Sequence, residues 1–141
     1  MTARTTPVED LLKLVDACNR CSLAFRAAGK HLSDIKFCGF YERLQKTLHR
    51  FIFELEKESS RIGGPLPDTL LKSRCASVTT ESLMTQAEAE LQSTLEGYDV
   101  CLTRSMPAHA RAMIVRQRQS LAQLMADLVT VSSDVPMRSV R

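Results

Sequence analysis

The chain has 141 residues, 44% hydrophobic, 25% charged and only 5% aromatic, with five glycines, five prolines and no tryptophan. That length suits one domain with a real core, the scarcity of turn formers argues against an all-β fold, and the charge level does not fit a wholly disordered chain. Nineteen Lys and Arg against sixteen Asp and Glu leave a net charge of +3, too small to imply a nucleic-acid or anionic-membrane partner.

Four segments carry helical periodicity. The first opens on Thr6-Pro7-Val8-Glu9, a capping box in which Thr6 caps and Pro7 takes a first-turn position that needs no N–H. Its apolar stripe runs Val8, Leu11, Val15, Cys18, Phe25, Leu32. The second helix is expected to follow Ser33 as cap, with Phe37, Phe40, Tyr41, Leu44, Leu48, Phe51, Leu55, Ser59 and Ile62 inward. Gly63-Gly64-Pro65 ends it, a residue free to adopt positive φ followed by a breaker. The third is predicted from Thr79 or Thr80 to about Arg104, with Met84, Ala87, Leu91, Leu95, Tyr98 and Leu102 inward. The fourth starts at Pro107 and turns Ala110, Met113, Gln117, Leu121, Leu124, Leu128 and Val131 to one side. A single domain over 7–131 results, with 1–6 and 132–141 expected as flexible termini.

The connections set the topology. Short links between the first and second helices, and between the third and fourth, make each pair an antiparallel hairpin. Gly63 to Val78 is too long for a tight turn. A helix of about 28 residues is about 42 Å long, and sixteen extended residues reach about 53 Å. The connector can therefore run the length of the bundle. The expected fold is all-α, a ferritin-like four-helix bundle of two antiparallel hairpins joined by a long crossover. Charge supports the last pairing: residues 80–104 hold five acids and one base, whereas 107–141 hold five arginines and two aspartates.

Met1 to Asp10 contains no apolar run and no stretch is long and uncharged enough to span a membrane, so neither a secretory leader nor a membrane segment is expected. Five scattered cysteines (Cys18, Cys21, Cys38, Cys75, Cys101) then read as reduced thiols in a cytoplasmic protein. Cys18-x-x-Cys21 lies mid-helix rather than at the N-terminus that would activate a redox thiol. No second Cys or His pair follows at zinc spacing, so the two read as small apolar residues.

Phe53-Glu54-Leu55 leading to Ile62-Gly63-Gly64-Pro65, then Glu96-Gly97-Tyr98, Leu102, Pro107-Ala108 and Arg116-Gln117, resemble a family of small bacterial ferritin-like four-helix-bundle proteins of unassigned function. The resemblance runs from about Val8 to Leu128. It implies a ferritin-like bundle, a dimer or higher oligomer, and no established reaction.

Di-iron chemistry in such a bundle needs carboxylates from all four helices and two Glu-x-x-His pairs pointing inward. No Glu-x-x-His occurs in the chain, and Met125 stands where the resemblance leads one to expect a histidine. Glu42 and His49 point away from the stripe, Glu54, Glu56 and Glu58 are off-axis or distal, and Glu88 is the one acid near an inward face. No di-iron site, cofactor or other metal site is therefore expected. Glu88 reads as a boundary residue and Gln117 as a buried amide bonded to another helix, with Glu88 or Tyr98 as candidate partners.

Other chemistry has little to stand on. A phosphotransfer bundle uses one exposed histidine, but His49 is crowded by Arg50, Phe51, Ile52 and Phe53, while His31 and His109 lie at helix ends. No nucleophile elbow and no glycine-rich phosphate loop occurs. Association remains. Phe53 falls outside the stripe of the aromatic-rich second helix, as a candidate dimer contact or a cover for Leu66, Leu70 and Leu71 of the crossover. Arg111, Arg116 and Arg118 form a basic face open to solvent or to an acidic partner.

The sequence thus reads as a non-catalytic bundle in a structural or protein-interaction role, a homo-oligomer with no nucleic acid or membrane partner. The alternative is a bundle binding a small ligand or a single metal ion in a residual cavity near Ser22, Glu88 and Gln117.

Overall fold

A computed structural model describes residues 6–29, 35–63 and 83–134 of the chain. They form four helices, α1 (Pro7–Gly29), α2 (Ile35–Ile62), α3 (Leu83–Leu102) and α4 (Ala108–Asp134), with no strand among the described residues. The expected cap Ser33, the inward Leu32, His31, Cys75, the Thr79/Thr80 start of the third helix and the crossover leucines Leu66, Leu70 and Leu71 lie outside them, as do residues 1–5 and 135–141. The side chain of Val131 is also outside. Helix α4 continues through 132–134, which the sequence reading assigned to the tail.

The helix ends follow local chemistry. At α1 the Glu9 N–H donates to Thr6 Oγ1 (3.1 Å) and the Thr6 N–H to Glu9 Oε1 (3.0 Å), a reciprocal capping box. Gly63 ends α2 at φ +133°, a conformation L side chains rarely adopt, with its N–H on Ser59 O (3.0 Å). The end of α3 is closed from the next helix: Arg111 donates to Leu102 O (2.9 Å) and Arg104 O (2.8 Å).

Contacts between helices fix both neighbours and directions. On α1, Ser22 meets Gln45 and Gly29 faces Tyr41 of α2, so these two run antiparallel. Between α1 and α3, Asp10 O lies beside Cys101 Sγ and Ala17 O beside Thr94. Across α3 and α4, Tyr98 bonds Gln117 while Glu88 and Gln92 share a groove with Met125 and Leu128. Between α2 and α4 the pairs are Arg43 with Asp127, Glu54 with Gln117 and Glu58 with His109. Every neighbouring pair is antiparallel, and α1 faces α4, as α2 faces α3, across the diagonals. It follows that α2 and α3 are parallel, so Gly63 and Leu83 lie at opposite ends of the bundle.

The core is one apolar cluster built from all four helices, including Leu11, Phe25, Phe40, Leu44, Leu48, Leu91, Tyr98, Ile114 and Leu121. Phe25 of α1 meets Phe40 of α2 edge to face at 5.9 Å. No helix among the described residues is long and apolar enough to cross a membrane.

Candidate functional site

The polar groups inside the bundle are few and joined to one another. In the interior a chain of contacts crosses the molecule and takes one residue from each helix. Cys18 Sγ of α1 lies 3.6 Å from Tyr98 Oη of α3. The phenol donates to Gln117 Oε1 of α4 at 2.5 Å, and Gln117 Nε2 donates to Glu54 Oε1 of α2 at 2.8 Å. Glu54 reaches the surface, where Arg116 Nη2 is 3.5 Å away. Cys18, Tyr98 and Gln117 are fully buried. The sequence reading named Tyr98 as one of two partners for Gln117 but set Glu54 aside as off-axis. In fact Glu54 points toward α4, a neighbour that a single helix's periodicity does not reveal.

A second buried bond ties α1 to α2: Ser22 Oγ donates to Gln45 Oε1 (2.6 Å), and Gln45 Nε2 returns to Ser22 O (3.0 Å). Between α1 and α3, the Thr94 hydroxyl donates to Glu90 O (2.7 Å) and lies 3.3 Å from Ala17 O. Among the described residues no buried side-chain nitrogen or oxygen lacks a hydrogen-bond partner. A satisfied network of this kind rigidifies the interior and favours one helix register.

Ser22, Glu88 and Gln117, proposed from sequence to share a cavity, are not brought together. Ser22 lies between α1 and α2, whereas Glu88 lines an open groove of about 470 Å³ between α3 and α4 with Gln92, Met125 and Val129. Gln117 sits at the level of Tyr98, ten residues beyond Glu88 on α3 and so about 15 Å further along the axis. The residual-cavity reading assumed that inward polar residues converge. Two of them instead have partners on adjacent helices at different heights.

The thiols are quiet. Cys18, Cys21 and Cys101 are buried and unbridged. Burial pushes the Cys18 thiol up to about 12 against a pull from the Tyr98 hydroxyl, and Cys101 to about 11 with help from Asp10. Cys21 is raised by burial, then by Cys18 and Glu90. Cys38 is exposed. In native protein Cys38 should therefore react with a thiol reagent at least about a hundredfold faster than these three, as site-resolved mass spectrometry would read. Comparable labelling of Cys18 would contradict this burial.

Glu58, set aside with Glu54 and Glu56 as off-axis or distal, lies in the last turns of α2 and is buried at the α2–α4 contact, bonded to Arg61, with His109 Nδ1 3.2 Å from its Oε1. The Arg61 hydrogen bond, then the Arg61 and His109 charges, hold its carboxyl below the usual range against the opposing effect of burial. A depressed folded value means that stability is present above the ordinary carboxyl value near 4.5 and lost as pH falls through the folded one. Urea unfolding between pH 7 and pH 3 should show that loss, and Glu58→Gln should flatten it. An unaltered acid limb would contradict the arrangement.

The other histidine and arginine candidates have plain placements. His49 is exposed on α2. The expected basic face on α4 is engaged within the molecule: Arg111 caps α3, Arg116 meets Glu54 and Arg118 pairs with Asp99. Phe53 is 63% exposed. Among the described residues no three His, Cys, Asp or Glu side chains gather where a metal ion could be held. Comparison of the chain with protein-family models, with characterised proteins and with solved structures found no match.

Proposed function

We propose that the chain is a non-catalytic, ferritin-like four-helix bundle without a di-iron centre, serving a structural or protein-interaction role. The observation that carries this reading is the buried polar layer. There, where a bundle enzyme would place ligands from each helix, Cys18, Tyr98, Gln117 and Glu54 are joined to one another. Ferritin-like connectivity is favoured by the parallel course of α2 and α3, because residues between Gly63 and Leu83 must join opposite ends of the bundle. A reducing compartment, the cytoplasm, fits Cys18 and Cys21, which lie about one helical turn apart and unbridged.

Elemental analysis tests the reading. Chain produced in medium supplemented with iron, manganese and zinc, and purified without a metal-affinity tag, should carry far less than one ion per chain. Stoichiometric metal that survives dialysis would overturn it.

A further inference from the structure

The outer face of α2 has an order that packing within the bundle does not require. Arg43, Lys46, Arg50, Phe53, Lys57 and Arg61 are all exposed and follow one another at steps of three or four residues. At 100° per residue they fall within an arc of about 80°, in a row about 27 Å long. The α2 acids fall to either side: Glu42 and Glu56 on one flank, Glu54 and Glu58 on the other. Arg43 and Arg61 are held by Asp127 and Glu58. Lys46, Arg50 and Lys57 form no ion pair with a described residue, and Phe53 stands among them, 63% exposed.

Charge and spacing choose among possible occupants. A second copy docking about a two-fold axis would place this patch on itself, setting the cations Lys46, Arg50 and Lys57 against the same set of cations on the other copy. That disfavours a symmetric dimer through Phe53, one of the two alternatives the sequence offers for this residue. A nucleic-acid backbone would overhang the row onto the carboxylates that border it, including Asp127 of α4. Alternating steps of three and four are the seam along which two helices pack. A helix with carboxylates at the same steps and one apolar residue opposite Phe53 satisfies both the charge and the ring.

We propose that the outer face of α2 docks an acidic amphipathic helix of a different protein, with Phe53 as the apolar anchor and Lys46, Arg50 and Lys57 as its charge contacts. This rests on the interaction role proposed above and names the partner's chemistry. The metal analysis tests that role separately.

The test is fluorescence anisotropy on the full chain with three labelled probes. One is a helical peptide of about three heptads with glutamates at the seam positions and a central leucine. The second has lysines in their place, and the third is a single-stranded oligonucleotide of about 20 bases. The acidic peptide should bind saturably at low salt and weaken as salt rises. Lys46→Glu, Arg50→Glu and Lys57→Glu should each weaken it about fivefold and Phe53→Ser about tenfold, with circular dichroism and melting unchanged. No saturable binding, or binding indifferent to these substitutions, overturns the proposal. So does tighter binding of the oligonucleotide lost in the same variants, or a doubled mass in light scattering that Phe53→Ser abolishes.

Discussion

Gln117→Ala should destabilise the protein by about 2–4 kcal/mol, one of the largest effects of any single polar substitution in the chain. Gln117 is fully buried and serves two neighbours at once, accepting from the Tyr98 phenol and donating to Glu54. The two losses differ. Glu54 is partly exposed and can turn to water, but Tyr98 is sealed in the core and its hydroxyl would keep only the weak contact with the Cys18 sulfur. A stranded buried donor costs about 1–3 kcal/mol, and the space left by the amide adds to it. The melting temperature should fall by roughly 10 °C. A shift of a degree or two would mean that water reaches this layer.

Phe25→Ala should cost about 3–5 kcal/mol, while Phe53→Ala should change stability by less than about 0.5 kcal/mol. The residues are chemically identical and differ only in surroundings. Phe25 is fully buried at the α1–α2 interface, edge to face with Phe40, so truncation removes apolar burial, leaves a cavity and ends a ring contact worth about 1 kcal/mol. Phe53 is 63% exposed, so truncation to alanine removes little buried apolar surface. Chemical denaturation of both variants separates the core from the outer face of α2. Equal effects would place Phe53 in a contact that the monomer makes with itself.

The inward stripe of each helix was legible in the sequence because periodicity reports the direction of the core. On α4, Ala110, Met113, Gln117, Leu121, Leu124 and Leu128 are all buried as expected, and the α1 capping box forms as Thr6 and Glu9 suggest. What periodicity cannot report is which helices flank that stripe. Leu12, Leu14 and Cys21 of α1 are buried outside the predicted row, since α1 packs against both α2 and α3. Gln45 turns toward α1, while Glu54 and Glu58 turn toward α4. Single stripes therefore leave Glu54 and Glu58 off-axis or distal and do not single out Gln45, although all three join helices. For the same reason the three residues of the alternative cavity reading, Ser22, Glu88 and Gln117, are placed apart. Each residue lies in the right helix, but inwardness alone does not fix its height or its neighbour.

The basic row on α2 was open to the same arithmetic. Arg43, Lys46, Arg50, Phe53, Lys57 and Arg61 show their three-four spacing in the sequence, yet only the structure separates the cations held by carboxylates from those that form no ion pair with a described residue. The arginines on α4, which the sequence presents as a basic face, are engaged with α2 and α3.

If the Tyr98–Gln117 layer serves register and not chemistry, its polar groups should be dispensable as a set though not singly. Urea unfolding of Tyr98→Phe/Gln117→Leu, measured beside Gln117→Leu alone, decides this. The pair removes donor and acceptor together, so the double variant should recover most of the stability that the single one loses, with an unchanged m-value. A double variant no more stable than Gln117→Leu would contradict the account.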